Sequence, residues 1–271
     1  MAVKFYTEGH RYESVDIFDS IKWYSASKIP SLFKKKFDAE ETAKKVSVNK
    51  KSKWYGLPPQ TVLDIWQAEN LRAITSGTWY HEQEEKELLS YKSLNYKGFE
   101  LPIIPPVWEN ACKVAQNQKL TDGIYPELLV YLLSAGTCGQ FDRVNVYNKT
   151  VDIDDHKTNK DLKKPAFINW EGISEKFLSP LAHLEATKLN EYALQLSIGM
   201  YMILRHNPLL KPGKQTLNYV SFEVESEDEY GYPILKLENG KPIVKEIEKI
   251  EVPYMKREVE LMFDFIKNNL R

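Results

Sequence analysis

G-Q-F-D-R-V-N-V-Y-N-K-T-V-D-I-D-D-H-K-T, residues 139–158, is the stretch from which the fold can be predicted. Its β-branched residues and its alternation of apolar with polar side chains predict two strands, 141–147 and 151–157, joined by a turn at 148–150. Successive side chains of a strand point to opposite faces. The alternation therefore also predicts which side chains of this hairpin lie inside the protein.

Two carboxylates and one lysine of the hairpin fall on its apolar faces. Asp142 shares a face with the valines of the first strand, and Asp155 and Lys157 share a face with Val151 and Ile153 of the second. The opposite face is predicted to carry Asp152, Asp154 and His156. A charge on an apolar face is costly unless it is paired or binds a metal.

Two carboxylates beside a lysine suit the hydrolysis of a phosphodiester with a divalent metal. The carboxylates can hold a hard cation such as Mg²⁺, and the lysine can orient the attacking water or help to deprotonate it. The alternative is an ordinary polar hairpin with its charges at the wet end, because so short a motif is often matched by chance. The inward position of Asp142 and the apolar strand core favour the metal site.

Asp142, followed by the D-H-K-T of residues 155–158, resembles the core of the PD-(D/E)XK nucleases. It is most similar to their RecB-like exonuclease branch, which includes phage and mitochondrial genome-maintenance exonucleases. The resemblance implies an α/β, restriction-endonuclease-like core with a mixed central β-sheet flanked by helices. It also implies that Asp142 and Asp155 bind Mg²⁺ or Mn²⁺, that Lys157 is catalytic, and that the carbonyl of His156 is a further candidate ligand.

Two more features of this branch have counterparts upstream. G-T-x-x-H matches residues 77–81, and the resemblance makes His81 a metal ligand or an electrostatic contact. The branch has an acidic residue on the strand before the aspartate, and Glu127 stands near the start of the apolar stretch 125–133. From the sequence alone Glu127 could equally be a carboxylate that faces water at the entry of a strand. The resemblance favours a catalytic or metal-associated role.

A glutamine on a following helix is the last feature of the branch. Gln195 matches it and is implied to contact nucleic acid. The branch usually has tyrosine four positions later, where this chain has Gly199. Tyr192 precedes Gln195 by three residues and shares its helix face, so it can take the place of the missing tyrosine.

Composition limits the class of protein. The chain has 271 residues, of which 42% are hydrophobic, and it can bury a substantial core. The formal net charge of −1 excludes a globally basic nucleic-acid binder, so DNA has to be held by local patches. Only Cys112 and Cys138 are present, which argues against a disulfide framework or an iron–sulfur cluster and suits a reducing compartment. With no signal-peptide core or long apolar run, we predict a cytoplasmic protein, in the host cytoplasm if it is phage-encoded.

We predict a single nuclease domain over residues 1–271, with a basic helical lobe at 1–75 and the nuclease core at 76–271. Residues 1–60 hold 12 Lys or Arg against 7 Asp or Glu. These lysines form either a solvated helix face or, with Trp54 and Tyr55 as a stacking pair, a path for a DNA strand. A second basic loop that could contact DNA phosphates carries Lys160, Lys163 and Lys164.

Periodicity predicts the remaining elements. Helices are predicted at 62–74, with Leu71 and Ile74 on the buried face, and at 77–91, 107–118, 181–205 and 255–269. Strands are predicted within residues 3–25 and at 125–133, 217–224 and 233–237. The acidic residues between 225 and 229 would repel DNA, so we expect that loop to lie away from the cleft.

The function that these features predict is a metal-dependent DNA nuclease, an exonuclease on single strands or DNA ends in replication, recombination or repair, where replication or recombination proteins are potential partners. One alternative is an endonuclease that cuts flaps or branches, and another is a non-catalytic DNA-binding subunit of a repair complex. The retention of Asp142, Asp155 and Lys157 argues against the second alternative. The chain has no P-loop and hence no ATP motor of that kind.

Overall fold

A computed structural model describes residues 3–9, 11–14, 22–115, 118–169 and 171–269 of the chain. The fold is α/β, as predicted, and its described helices are α1 (Ala39–Val48), α2 (Pro59–Ser90), α3 (Lys188–His206) and α4 (Lys256–Asn269). The strands are β1 (Val3–Tyr6), β2 (Arg11–Ser14), β3 (Tyr24–Ser25), β4 (Ser93–Tyr96), β5 (Phe99–Pro102), β6 (Val107–Glu109), β7 (Cys112–Val114), β8 (Gly123–Leu132), β9 (Thr137–Tyr147), β10 (Thr150–Lys157), β11 (Lys211–Phe222), β12 (Val224–Glu227), β13 (Pro233–Leu235), β14 (Leu237–Glu238), β15 (Lys241–Pro242) and β16 (Val244–Val252).

The central sheet is mixed, in agreement with the prediction. Strands β8, β9 and β10 form an antiparallel meander, α3 then crosses over, and β11 returns parallel to β10. Strand β16 closes one edge antiparallel to β11, and β3 pairs with the first residues of β9. The main core packs against α3 and α4 and contains Val144, Val146, Val151 and Ile153, all fully buried.

A second sheet, in the order β2–β1–β7–β6, covers the outer side of β8. Its Val3 and Phe5 pack with Leu129 of β8 and Cys138 of β9. Strand β8 is therefore buried along almost its whole length although β9 is its main strand partner. The strands predicted within residues 3–25 are confirmed as β1 to β3, while residues 10 and 15–21 lie outside the described part of the chain.

The turn of the central hairpin is shorter than predicted. Tyr147 pairs with Thr150, so only Asn148 and Lys149 lie in the turn, with φ angles of 43° and 59°. Two consecutive positive φ angles are typical of the two-residue turn that matches the twist of a β-hairpin. Thr150 consequently belongs to β10.

The face of β10 opposite the valines is covered rather than exposed. Asp152 is 1% exposed, and its carboxylate accepts hydrogen bonds from Tyr96 Oη at 2.8 Å, Lys97 Nζ at 2.5 Å and the Lys214 backbone N–H at 2.6 Å. Tyr96 and Lys97 belong to the β4–β5 hairpin, which folds over this face. Asp152 does face away from Asp155, but it is a buried structural carboxylate.

The helices predicted at 62–74 and 77–91 are one continuous helix, α2. Its first turns pack Val62 against Trp54, and its second half, from Gly77 onward, packs against the central sheet, where Gly77 leaves room for Thr158 Oγ1. The segment between these two contacts carries Leu71 and Ile74, which belong to neither hydrophobic cluster. Leu71 and Ile74 are consequently 63% and 55% exposed, and the prediction that they are buried was wrong.

The prediction of a helix at 107–118 was also wrong, because residues 107–114 form the hairpin β6–β7. Asn110 and Ala111 turn the chain with φ angles of 47° and 62°. Strand β7 is held by pairing with β1, a contact more than 100 residues away in sequence that local periodicity cannot reveal. Helix α3 begins at Lys188 rather than at 181, because Thr187 caps it by accepting a hydrogen bond from the Asn190 backbone N–H.

The C-terminal predictions largely hold. Strand β11 covers most of the predicted 217–224 but begins at Lys211 and ends at Phe222, and α4 buries Val259, Met262 and Ile266. No helix in the described ranges is both long enough and apolar enough to cross a membrane.

Replacing Asp152 by alanine should destabilise the fold more than replacing Asp154. Loss of the Asp152 carboxylate leaves one backbone N–H and three side-chain donors, from Tyr96, Lys97 and Tyr147, without their acceptor. We expect a loss of about 2–4 kcal/mol in unfolding free energy. Asp154 is partly exposed and accepts from Asn145 Nδ2, so its alanine variant should lose about 1 kcal/mol. Urea denaturation of both variants measures the difference, and equal losses would contradict the structural role of Asp152.

Candidate metal and catalytic site

Strand register brings three carboxylates into one row. In the β8–β9 pairing, Pro126 lies opposite Arg143 and Leu128 opposite Phe141, so Glu127 lies opposite Asp142. In the β9–β10 pairing the last pair is Arg143 with Asp154, and one further step in the same register places Asp142 opposite Asp155. Glu127, Asp142 and Asp155 thus stand side by side on three neighbouring strands.

Helix α2 places an imidazole over this row. His81 Nδ1 lies 3.1 Å from Asp142 Oδ2. One ligand atom each from His81, Glu127 and Asp142 can be chosen so that all three lie within 4.8 Å of one another. Asp142 Oδ2 also accepts the backbone N–H of His156 at 2.7 Å, which fixes the carboxylate against β10.

Asp155 and Lys157 form a buried ion pair beside the row. Lys157 Nζ lies 2.5 Å from Asp155 Oδ2 and 4.5 Å from the centre of the Tyr192 ring. This oxygen of Asp155 is buried, and the Lys157 ammonium is its close cationic neighbour.

Proximity shifts the pKa values of Asp142 and His81 in opposite directions. Burial alone would raise the pKa of Asp142, but the positive His81 outweighs it and the pKa is lowered. Burial alone would lower the pKa of His81, and the Asp142 carboxylate reverses this and raises the pKa to about 9. In the absence of a cation the two groups form an ion pair at neutral pH.

Burial and neighbouring charges also shift the pKa values of Glu127, Asp155 and Lys157. Burial and the neighbouring Asp142 raise the pKa of Glu127 to about 8. Burial and Asp142 also raise the pKa of Asp155 above its ordinary value, against the opposing effect of Lys157. Burial acts to lower the pKa of Lys157, but the facing carboxylates raise it, so this lysine is a cation at neutral pH.

Of the two residues predicted on α3, Tyr192 lies at the site. It stacks under Lys157 and donates from its hydroxyl to Asn159 Oδ1 at 2.6 Å. Gln195 is buried, and its contact with nucleic acid stays a prediction. A side chain at Gly199 would begin 2.4 Å from the Phe141 ring, so this position has no room for a tyrosine. Tyr192 is thus the tyrosine of α3 that lies at the site.

The lysines predicted to contact DNA each have a carboxylate partner. Lys160 lies 2.8 Å from Glu69 and Lys164 lies 2.6 Å from Asp161. Lys163 pairs with Glu248 on β16. Their side chains are more than half exposed, but each positive charge is partly neutralised.

Trp54 and Tyr55 do not form an exposed stacking pair. Trp54 is 6% exposed and packs against Trp66, Tyr230 and Tyr232, whereas Tyr55 is 52% exposed. Trp54 is buried because the segment around β12–β13 folds back onto α1 and α2. The acidic loop comes with it, and Asp228 pairs with Arg72 of α2 at 2.8 Å. The acidic loop therefore packs against α2.

Sequence reasoning missed two further charged residues of the site. Lys113 of β7 is 3% exposed and lies 3.1 Å from Glu85 and 3.4 Å from Glu127. The only local signal was the position of Glu85, one helical turn after His81. The sequence pattern around Lys113 predicts a helix, so nothing in it indicates that this lysine lies at the site.

The donor set fits a hard divalent cation. Clustered carboxylate oxygens suit Mg²⁺, and an added imidazole nitrogen is well suited to Mn²⁺. Asp142, Glu127 and His81 would hold the ion, and Asp155, the next acid of the row, stays a predicted ligand. For His156, the structure shows its backbone N–H on Asp142 and its ring 3.8 Å from Glu84, while ligation by its carbonyl remains a prediction.

The metal-free protein should lose stability as pH rises from about 6.5 to 9. The folded-state pKa of His81, about 9, exceeds its ordinary 6.5, so its contribution is complete below pH 6.5 and is lost as pH rises through 9. The pKa of Glu127, about 8 against an ordinary 4.5, acts in the same direction, because the folded state holds the proton that the unfolded state releases.

Urea denaturation in chelator should therefore show unfolding free energy falling by on the order of 2–4 kcal/mol across this window. The His81→Gln and Glu127→Gln variants should each flatten the profile. A wild-type profile that is level or rises would contradict the proposed ion pair and the buried carboxyl.

Comparisons of the chain with family models, with curated proteins and with solved structures found no match.

Proposed function

We propose that this protein is a Mg²⁺- or Mn²⁺-dependent DNA nuclease with a restriction-endonuclease-like core. The observation that carries the proposal is the row of Glu127, Asp142 and Asp155 across three strands, with Lys157 paired to its end. Carboxylates directly opposite one another repel. Their placement in one buried row is most simply explained by a cation that they share.

Each residue has a role that follows from its surroundings. When bound, the divalent ion supplies Lewis acidity toward the phosphate and a lowered pKa for water. Asp142 and Asp155 hold it, with Glu127 and His81 completing the set of ligands. The raised pKa of Lys157 supports an electrostatic role, in which its ammonium stabilises charge that develops on the phosphate, over a role as a base.

The surroundings of Lys157 also bear on the substrate. Its ammonium lies over the Tyr192 ring, and Tyr192 is tied to Asn159 at the end of β10. A strand that places its phosphate at Lys157 would therefore meet an aromatic residue at the same point, as single-strand binders commonly provide. We propose that single-stranded DNA or DNA ends are the substrate.

Asp155→Ala and Lys157→Ala should both abolish cleavage, but for separable reasons. Asp155→Ala removes a metal ligand, so it should weaken Mn²⁺ binding as well as turnover. Lys157→Ala removes a group that acts on developing charge, so turnover should fall by about 100-fold or more while binding of DNA in Ca²⁺ is nearly kept.

The assay uses labelled linear, circular and single-stranded DNA with and without Mg²⁺. The control is Asp154→Ala, a variant that keeps every candidate metal ligand. Cleavage of circular DNA would identify an endonuclease. If the wild-type protein cleaves none of the three substrates in Mg²⁺ or Mn²⁺, the nuclease proposal is wrong.

A basic turn at residues 34–37 offers a path for the strand beyond the site. Lys34 Nζ pairs with Glu191 Oε2 at 2.9 Å, and Glu191 immediately precedes Tyr192. Lys35 and Lys36 are exposed, and neither forms an ion pair within the described ranges. Phe37 follows, 72% exposed, with its ring 6.2 Å from Trp66. Unneutralised lysines beside an exposed aromatic ring suit a single strand.

Replacing Lys35 and Lys36 by glutamine should weaken single-strand binding and reduce its salt dependence. Two lost phosphate contacts lower the slope of log affinity against log salt by roughly 1.4. The triple glutamine variant of Lys160, Lys163 and Lys164 is the matched comparison, and it should change the slope less, because each of these lysines already has a carboxylate partner.

Fluorescence anisotropy of a labelled oligonucleotide in Ca²⁺, at several salt concentrations, measures both variants. A larger loss in the triple variant would place the strand over the loop at 160–164. If both variants bind the oligonucleotide like the wild-type protein at every salt concentration, all five lysines belong to a solvated surface.

A further inference from the structure

Lys113 is a buried cation next to the row of carboxylates. It is 3% exposed, and its ammonium lies 3.1 Å from Glu85 Oε1 and 3.4 Å from Glu127 Oε2. The Trp108 ring lies 5.3 Å away. Burial of an ammonium is costly unless carboxylates compensate it, so Lys113 is confined to the point between these two acids.

Three elements hold this arrangement in place. Strand β7 supplies Lys113, α2 supplies Glu85 four residues after His81, and β8 supplies Glu127. Glu127 has a φ of 51°, a conformation that few residues other than glycine adopt and that often marks functional sites. One acid of the metal cluster is thus shared between the cluster and a lysine that the proposed chemistry does not use.

The charges of the site leave a net negative charge that one divalent cation would balance. Glu85, Glu127, Asp142 and Asp155 contribute four negative charges when ionised, and the ammonium groups of Lys113 and Lys157 that pair with them contribute two positive charges. The remainder is −2, with His81 neutral as a ligand. A second divalent ion would leave an excess positive charge in a buried site, which is unfavourable.

We infer that the site binds one divalent cation per chain and that the Lys113 ammonium occupies, between Glu85 and Glu127, the position that a second cation would take in a two-metal site. Two-metal hydrolases hold their ions about 4 Å apart, bridged by shared carboxylates. Glu127 has such a shared position, with Lys113 on one side and the candidate ligands His81 and Asp142 on the other. The inference rests on the proposed metal site.

Mn²⁺ titration of the full chain at about pH 8 tests this assignment, because ligand carboxylates must be ionised to bind. Isothermal calorimetry gives the number of ions bound, and electron paramagnetic resonance reports coupling between two neighbouring Mn²⁺ ions. The wild-type protein should bind one ion and show no coupling. Lys113→Met removes the charge while keeping an apolar stem of similar length, and should bind two coupled ions. Lys113→Arg keeps the charge and should bind one.

Each result has a distinct meaning. Two coupled ions in the wild-type protein, or one ion at unchanged affinity in Lys113→Met, would overturn the inference while leaving the metal site intact. No ion in the wild-type protein would instead refute the proposed metal site itself.

Glu85→Gln provides a test that does not depend on the folding of Lys113→Met. If Glu85 serves Lys113 and not the metal, the variant should still bind one ion with less than a roughly tenfold loss of affinity. A larger loss would show that Glu85 is itself a ligand, and would overturn the assignment.

Discussion

The two-residue turn at Asn148 and Lys149 is the constraint on which the site depends. Its positive φ angles set the pairing of β9 with β10, and that pairing places Asp142 opposite Asp155. Because side chains alternate along a strand, a slip of one residue would send one of these carboxylates to the other face. The β8–β9 register extends the row to Glu127. The pairing of the backbones thus holds the three acids next to one another even though their carboxylates repel.

That repulsion explains the composition of the surroundings. Each acid of the row has a cationic neighbour drawn from a different element: His81 of α2 for Asp142, Lys157 of β10 for Asp155, and Lys113 of β7 for Glu127. These pairs make the row tolerable in the folded protein. A net negative charge, which favours binding of a cation, arises when His81 gives up its proton and serves as a neutral ligand.

Local patterns were sufficient for part of this arrangement. Asp142, Asp155 and Lys157 follow from strand alternation, and the position of His81 follows from one helical motif. Lys113 and Asp152 could not be identified in the same way, because their surroundings come from the β1–β7 pairing and from the β4–β5 hairpin. Likewise, α2 packs at two separate places along its length. The apolar pattern of the sequence therefore predicted two helices where the structure has one.

The basic segments show the same limit for surfaces. A run of lysines predicts positive charge, but the carboxylates that neutralise Lys160 and Lys163 come from α2 and β16, 91 and 85 residues away in sequence. Trp54 is likewise covered by tyrosines from beyond residue 228. Lysine spacing alone therefore does not show which positive charges the fold leaves without a partner. A lysine that has no carboxylate partner gains more by pairing with a phosphate than one that is already paired.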